Sequence, residues 1–230
     1  MRSCACKALC ITVTIWRVDV YLTTLLALLS LSGSSAALAE EEGPPEPPQA
    51  RMLARAYGVG ALAPGADDHV EVELQLRGAA IRIDFRGEHA PDAWLTTGGR
   101  GGRAWLVSER GNYVLPVADA SGPYWYDPTA PCRTIGGRCV PAPGEFIDGR
   151  LAAGWRYDKA KGPDGTTTGT LWVDTATGLL LGYRGRVGSR GQERGMRARA
   201  VRFEAVPESV FLPPQGLRQG GVKGTDAASY

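Results

Sequence analysis

From His69 onward the chain alternates apolar and polar residues with a period of two. In HVEVELQLR, Val70, Val72, Leu74 and Leu76 fall on one side and Glu71, Glu73, Gln75 and Arg77 on the other. That period belongs to a half-buried strand. AAIRIDFRG repeats it after Gly78, with Ile81, Ile83 and Phe85 inward and Arg82, Asp84 and Arg86 outward. The two read as an antiparallel pair with one wet and one dry face. AWLTT (93–97), RAWLVS (103–108) and NYVLPV (112–117) continue a meander, with GGRGG as a turn. EFIDGR (145–150), AGWRYDK (153–159), TGTLWVD (168–174), LLLGYRG (179–185), RARAVRFEAV (197–206) and SVFLP (209–213) follow. The pattern predicts an all-β fold of about eleven strands. Weak helical candidates lie at 49–57 and within 119–144. In GTLWVDTATGLLLGYRG, Asp174 and Thr175 start a turn and Gly178 supplies the positive φ that ends it. The three leucines that follow predict a strand covered on both faces, or one lining a cavity.

The N-terminal stretch has a different pattern. Arg2, Lys7 and Arg17 precede a twelve-residue apolar run, Val20 to Leu31, then small residues and an Ala37-Leu38-Ala39 end. This is the layout of a secretory signal, with cleavage expected after Ala39. The run is shorter than the ~20 residues of a membrane span. Residues 40–50 form an acidic, proline-rich leader and 214–230 a similar tail, both expected to be disordered. One domain is expected over 51–213.

Charge alters this picture little. The signal carries three of the 26 basic and one of the 24 acidic residues, so the remainder is neutral. Neutrality and export disfavour nucleic acid as a partner. Cysteine usage agrees with export. Cys4, Cys6 and Cys10 lie in the signal, leaving Cys132 and Cys139 as an even pair. A disulfide is the expected state, weighed against two free thiols or half a metal site. Closing so small a loop is worth about 2.5 kcal/mol on the chain-entropy model.

Strands, turns and motifs together resemble a known family. IRIDFRG, AWLTTGGRGGRAWLVSERGNYVLPV, LWVDTATGLLLGYRG, VRFEAV and VFLPPQG are similar to the periplasmic LolA/LolB-like superfamily, which includes the RseB-type sensor domains. The resemblance covers residues 53–215. It implies an open antiparallel half-barrel whose apolar concave side receives acyl chains, and a non-enzymatic role. A soluble periplasmic binding protein for a lipid or acylated ligand is the resulting expectation. The alternative is a regulatory or protein-interaction module of the envelope. A monomer is expected, for which peripheral membrane contact stays open, with no cofactor and no metal.

Candidate residues follow. Ile81, Ile83, Phe85, Trp94, Trp105, Trp172 and Leu180 are the candidate cavity walls. Arg184, Arg186, Arg197 and Arg199 are candidates for an anionic headgroup or a partner, because arginine forks suit phosphate and carboxylate. Tyr124, Trp125 and Tyr126 read either as a lid over the cavity or as ordinary packing. Catalytic readings are weaker. His69 and His89 lie at a strand start and in a turn, with no G-x-S-x-G elbow near. Asp67, Asp68 and His69 are adjacent and so make a poor chelate in extended chain. Asp148 with Asp158, or Asp174 with Glu145, have no pattern that brings them together. GGRGG lacks the helix and lysine of a phosphate loop.

Overall fold

The computed structural model describes residues 46, 48–58, 69–87, 90–97, 103–118, 122–188 and 191–220. The signal segment and residues 40–45 lie outside them. The strands are β1 (Gln49–Tyr57), β2 (His69–Arg77), β3 (Ala80–Arg86), β4 (Trp94–Thr97), β5 (Arg103–Ser108) and β6 (Tyr113–Ala118), then β7 (Arg138–Ile147), β8 (Arg150–Asp158), β9 (Thr168–Asp174), β10 (Leu180–Arg186), β11 (Glu193–Arg202) and β12 (Arg218–Gln219). They join in one sheet ordered β12-β6-β5-β4-β3-β2-β1-β11-β10-β9-β8-β7. All neighbours are antiparallel except β12 with β6. The sheet is open, with β12 and β7 at its edges. A short helix α1 (Cys132–Ile135) precedes β7.

Residues 49–57 correct the sequence reading. QARMLARAY is built of good helix formers, yet it is a strand. Its neighbours decide this, because β1 is hydrogen-bonded to β2 on one side and β11 on the other. Ala50, Met52, Ala54 and Ala56 then share one face and are all nearly inaccessible. Tertiary pairing overrides local propensity here. Gln49 and Ala50, placed in the leader by composition, belong to this strand. Arg218 and Gln219, placed in the tail, pair with β6.

Two other assignments change. EFIDGR is not one strand, because Asp148 (φ 50°) and Gly149 (φ 70°) form a two-residue turn between β7 and β8. Two successive left-handed residues are what a tight hairpin of this twist requires. β7 also begins earlier, at Arg138, and contains Pro141 and Pro143. Those prolines are tolerated because β7 is an edge strand. SVFLP is a 3-10 turn over Glu208–Phe211 rather than a strand. The closing part of RARAVRFEAV, after Arg202, is likewise outside β11.

Register assigns every side chain to one of two faces. The first, the Met52 face, carries Met52, Leu74 and Ile83 as direct cross-strand partners. It holds most of the main core, including Val72, Leu76, Leu171, Tyr183 and Met196. The second, the Trp94 face, carries Trp94, Val107 and Val114 as a smaller core with Trp105 and Leu217. Phe211 also sits there, its carbonyl accepting the Thr96 hydroxyl at 2.9 Å. Thr96 in turn is the register partner of Trp105.

At the other end the β7–β8 hairpin folds back over the sheet. Arg197 Nη1 donates to Glu145 Oε1 at 2.8 Å. The Val201 N–H donates to Asp148 Oδ2 at 2.8 Å. Ile147 lies 3.8 Å from where a Cβ on Gly182 would stand. Asp174 anchors the hairpin. Its carboxylate is buried and accepts from Arg150 Nε at 2.7 Å, the Thr177 hydroxyl at 2.6 Å and the Ala176 N–H at 3.1 Å. Burial alone would push this carboxyl up, but the bonds from Thr177, Ala176 and Arg150 outweigh it and hold it below the usual range. Its contribution is therefore present above about pH 4 and is lost as pH falls further. Asp174→Ala strands the Arg150 guanidinium, and we expect it to cost about 3 kcal/mol, measured by urea unfolding at pH 7. The deficit against wild type should shrink on acidification.

Candidate functional site

The Met52 face is free of charged side chains over six strands among the described residues. Its β1 positions are Ala50, Met52, Ala54 and Ala56, and its β2 positions are Val70, Val72, Leu74 and Leu76. β3 adds Ile81, Ile83 and Phe85. β4 adds Leu95 and Thr97, β5 adds Ala104, Leu106 and Ser108, and β6 adds Tyr113, Leu115 and Val117. One row crosses all six strands: Met52, Leu74, Ile83, Leu95, Leu106 and Leu115 are successive register partners. Met52 and Leu74 are fully buried, while Ile83, Leu95, Leu106 and Leu115 are only half-buried. At ordinary strand spacing the half-open part, β3 to β6, spans about 14 Å.

The candidate wall residues divide between the two faces. Ile81, Ile83 and Phe85 lie on the Met52 face, as does Leu180, the partner of Val173. Trp94 and Trp105 lie on the opposite face, in the second core. Trp172 also lies opposite, between Gly154 and Gly182. The seven therefore do not form one wall. Leu95, Leu106 and Leu115 were missed as lining residues. Each tryptophan chosen on β4 and β5 stands next to one of the leucines in sequence. Only the register tells which neighbour faces which way, since a one-residue step exchanges the faces.

Over β8–β10 the same face is covered by residues 122–137, a strap. Tyr124, Tyr126 and Ile135 enter the main core from it. The Tyr126 N–H donates to the Gly178 carbonyl and the Leu180 N–H to the Tyr124 carbonyl, both at 2.8 Å. Trp155 Nε1 donates to the Pro128 carbonyl at 3.1 Å. The Cys132–Cys139 disulfide, present as expected, joins α1 to β7. Gly178 is required here twice, by its φ of 77° and because a Cβ would stand 2.2 Å from the Tyr126 carbonyl. Leu179, Leu180 and Leu181 are all fully buried. Of the two readings of that leucine run, coverage on both faces is the observed one.

The strap carries polar atoms that it leaves unmatched. The Tyr126 hydroxyl and Trp125 Nε1 are buried without a hydrogen-bond partner. A buried unpaired donor costs about 1–3 kcal/mol. Burial pushes the phenols of Tyr126 and Tyr183 well above their ordinary range and that of Tyr157 up to about 12.

The arginines are arranged differently from the sequence reading. Arg184, Arg186 and Arg197 do share the Trp94 face on partner strands. However, Glu193 accepts from Arg184 Nε at 2.7 Å and from Arg186 Nη2 at 3.2 Å. Arg197 is engaged by Glu145. Arg199 is exposed. The groove of about 320 Å³ beside Thr168, Thr170 and Arg184 is thus partly neutralised from within, by the single carboxylate of Glu193 between two arginines. A second groove of about 430 Å³, floored by Leu53, crosses β2, β1 and β11 on this face. Two of its arginines are paired, Arg51 with Glu204 at 2.9 Å and Arg86 with Glu73, while Arg202 also lines it.

Catalytic pairings do not assemble among the described residues. Glu145 and Asp174 both stand opposite Ala152, but each is engaged by its own arginine. Asp158 pairs with Arg138 at 3.0 Å and Asp148 with a backbone N–H. The His69 ring lies 5.4 Å from that of Tyr57. No group of three His, Cys, Asp or Glu among the described residues is placed to hold a metal. Asp67, Asp68, His89 and the GGRGG turn lie outside those residues.

No family model matches the chain, and no curated protein matches it. Solved structures do. An uncharacterised conserved protein from Thermus thermophilus has 7% sequence identity and a TM-score of 0.49, over 75% of this chain and 90% of that one. MucB in complex with MucA from Pseudomonas aeruginosa has 14% identity and a TM-score of 0.43, over 74% and 57%. A LolA superfamily protein from Nitrosomonas europaea has 11% identity and a TM-score of 0.35, over 74% and 91%.

Proposed function

We propose that the protein is a non-enzymatic binding protein of the periplasm that holds an apolar or acyl ligand against the Met52 face. One observation carries the reading: the uncharged, half-open aliphatic row Ile83-Leu95-Leu106-Leu115 across β3–β6. A hydrocarbon chain laid along that row buries apolar area on both partners, worth roughly 25 cal/mol per Å². It meets no charge that would have to be desolvated. The strap caps the far end of the same face, which sets the length of the exposed row.

A second reading, an interaction module for an envelope protein, is favoured by one observation. Phe146 and Leu151 are direct partners in the edge hairpin and are 70% and 50% exposed.

The binding reading is tested with a fluorescent fatty acid. Leu106→Gln on the row should weaken uptake at least tenfold with the fold retained. Leu53→Gln, on the opposite face, should leave uptake unchanged. A wild-type protein that takes up no fatty acid, or equal affinities for both variants, overturns it. The arginine face yields a second expectation. Because Glu193 engages both Arg184 and Arg186 and offsets one of their two charges, Glu193→Gln should strengthen binding to anionic vesicles several-fold over wild type, with the gain lost at high salt. Co-sedimentation at two ionic strengths measures it.

A further inference from the structure

The loop between β8 and β9 holds the strap at both of its ends. Near the strap's start, a Cβ on Gly122 would stand 3.1 Å from Pro163 Cα. Near its end, the Lys161 N–H donates to the Ile135 carbonyl at 2.8 Å. The loop is closed on itself, with the Ala160 N–H donating to the Thr167 carbonyl and the Gly162 N–H to the Thr166 carbonyl. Strap and loop therefore form one connected layer on the sheet.

Besides the strap's own backbone bonds and disulfide, two side-chain contacts of the loop reach the sheet. The Tyr157 and Thr166 hydroxyls share a hydrogen bond of 2.6 Å. Asp164, left-handed at φ 52°, faces Arg194 of β11. Arg194 Nη1 donates to the Asp164 carbonyl at 2.8 Å, but the carboxylate itself stands 3.6 Å away. Asp164 Oδ2 and Arg194 Nε are both buried and without a hydrogen-bond partner. The pair is loose, and although both side chains keep partial exposure (21% for Asp164, 27% for Arg194), the buried oxygen and nitrogen recover little of the cost of dehydrating them. No second cation among the described residues is positioned to help. Tyr183 of β10 interacts with both Asp164 and Arg194, and also with Tyr157 of β8 and Tyr124 of the strap. Lys159 and Lys161 on the loop itself are exposed. Arg184, Arg186 and Glu193 lie on the other face.

We propose that Asp164 is a protonation-controlled latch for the strap, holding it closed on the Met52 face when neutral and loosening it when ionised. The direction follows from the environment. Burial raises the Asp164 carboxyl to about 6, and Arg194 only partly offsets this. The closed layer therefore prefers the protonated acid. Its advantage is complete below the ordinary carboxyl value near 4. It is lost as pH rises to about 6, and above that the layer stays weakened. A shift of about two pH units corresponds to an equilibrium change of up to ~100-fold. The value of such a latch rests on the binding reading above. The latch itself needs no ligand.

Hydrogen exchange on the full protein tests it without ligand. Amide protection over residues 124–136, corrected for the intrinsic rate, should fall by 10- to 100-fold between pH 4.5 and 7. Amides of β2 and β3 should not change. In Asp164→Asn, which tolerates the left-handed backbone, strap protection should be flat across that range. Strap protection independent of pH in wild type, or falling equally in the variant, overturns the latch. Carbon-13 carboxyl titration of wild-type Asp164 gives a second readout: a midpoint near 6 supports the latch and one near 4 overturns it. Fatty-acid uptake is not read in either experiment, so failure of the binding reading and failure of the latch remain separable.

Discussion

The register of β1 against its two neighbours decides what the rest of the sheet presents. β2 to β6 extend from one edge of β1, and β11 to β7 extend from the other. Met52 is the partner of Leu74 on one side and Val201 on the other. A slip of one residue would bring Arg51, Leu53 and Arg55 to the core and send the alanines to solvent. The small size of Ala50, Ala54 and Ala56 has a further effect. It thins the packing along the middle of the sheet, so the layer over the Met52 face must come from elsewhere. Over β8–β10 the strap supplies it. A bulge between Leu53 and Ala54 absorbs the one-residue mismatch with β11 and keeps Ala198 and Val201 on the same face.

The two ends of the sheet solve the problem of an open edge differently. At β7, Pro141 and Pro143 remove donors from the free edge, and the hairpin tip turns back to Arg197 and Val201. Asp174 supports that return, because it holds Arg150 beside the hairpin turn while satisfying its own turn. Arg150 then also covers the Phe203 ring at 4.7 Å. At the other end, β12 pairs only two residues with β6. The second core of Trp94, Val107 and Val114 lies on the reverse side there, with the Arg82 guanidinium 3.8 Å from the Trp94 ring centre. Because that core is on the reverse side, the aliphatic row on β3–β6 has no dedicated cover among the described residues.

Much of this was readable from local pattern. The alternation in HVEVELQLR and IRIDFR located β2 and β3 and their dry side, and Asp174, Thr175 and Gly178 located the β9–β10 turn. The cysteine pair was readable from its even count in a chain expected to be exported. Other features were not local. QARMLARAY has no β-branched residue, and only its two neighbours make it a strand. Trp94 and Trp105 drew attention because they are large, but size says nothing about side. Their neighbours Leu95 and Leu106 point the other way, a fact carried by pairing with Asp84 and Ile83 across the sheet. The arginine-rich β10–β11 region contains one acid of its own, Glu193, and its other match, Glu145, lies about 50 residues away in sequence. The fold brings each to the cations it neutralises.

What distinguishes the two halves of the Met52 face is how well the groups that cover them are satisfied. Under the strap the packing is dense, yet four groups are poorly placed: Trp125 Nε1, the Tyr126 hydroxyl, Asp164 Oδ2 and Arg194 Nε have no partner. A permanent cover would have been expected to match them, since unmet buried polar atoms are rare in settled cores. Over β3–β6 the situation is reversed, with no charged group to match and aliphatic side chains left half-open. An apolar chain adds burial to the second half without disturbing a hydrogen bond. Any extension of that chain beyond β1 toward β10 must displace the strap. There the resistance is set by packing of Tyr124, Tyr126 and Ile135 and is reduced by the strain of the unmatched groups. Under the proposed binding reading, ligand and strap compete for adjoining parts of the Met52 face.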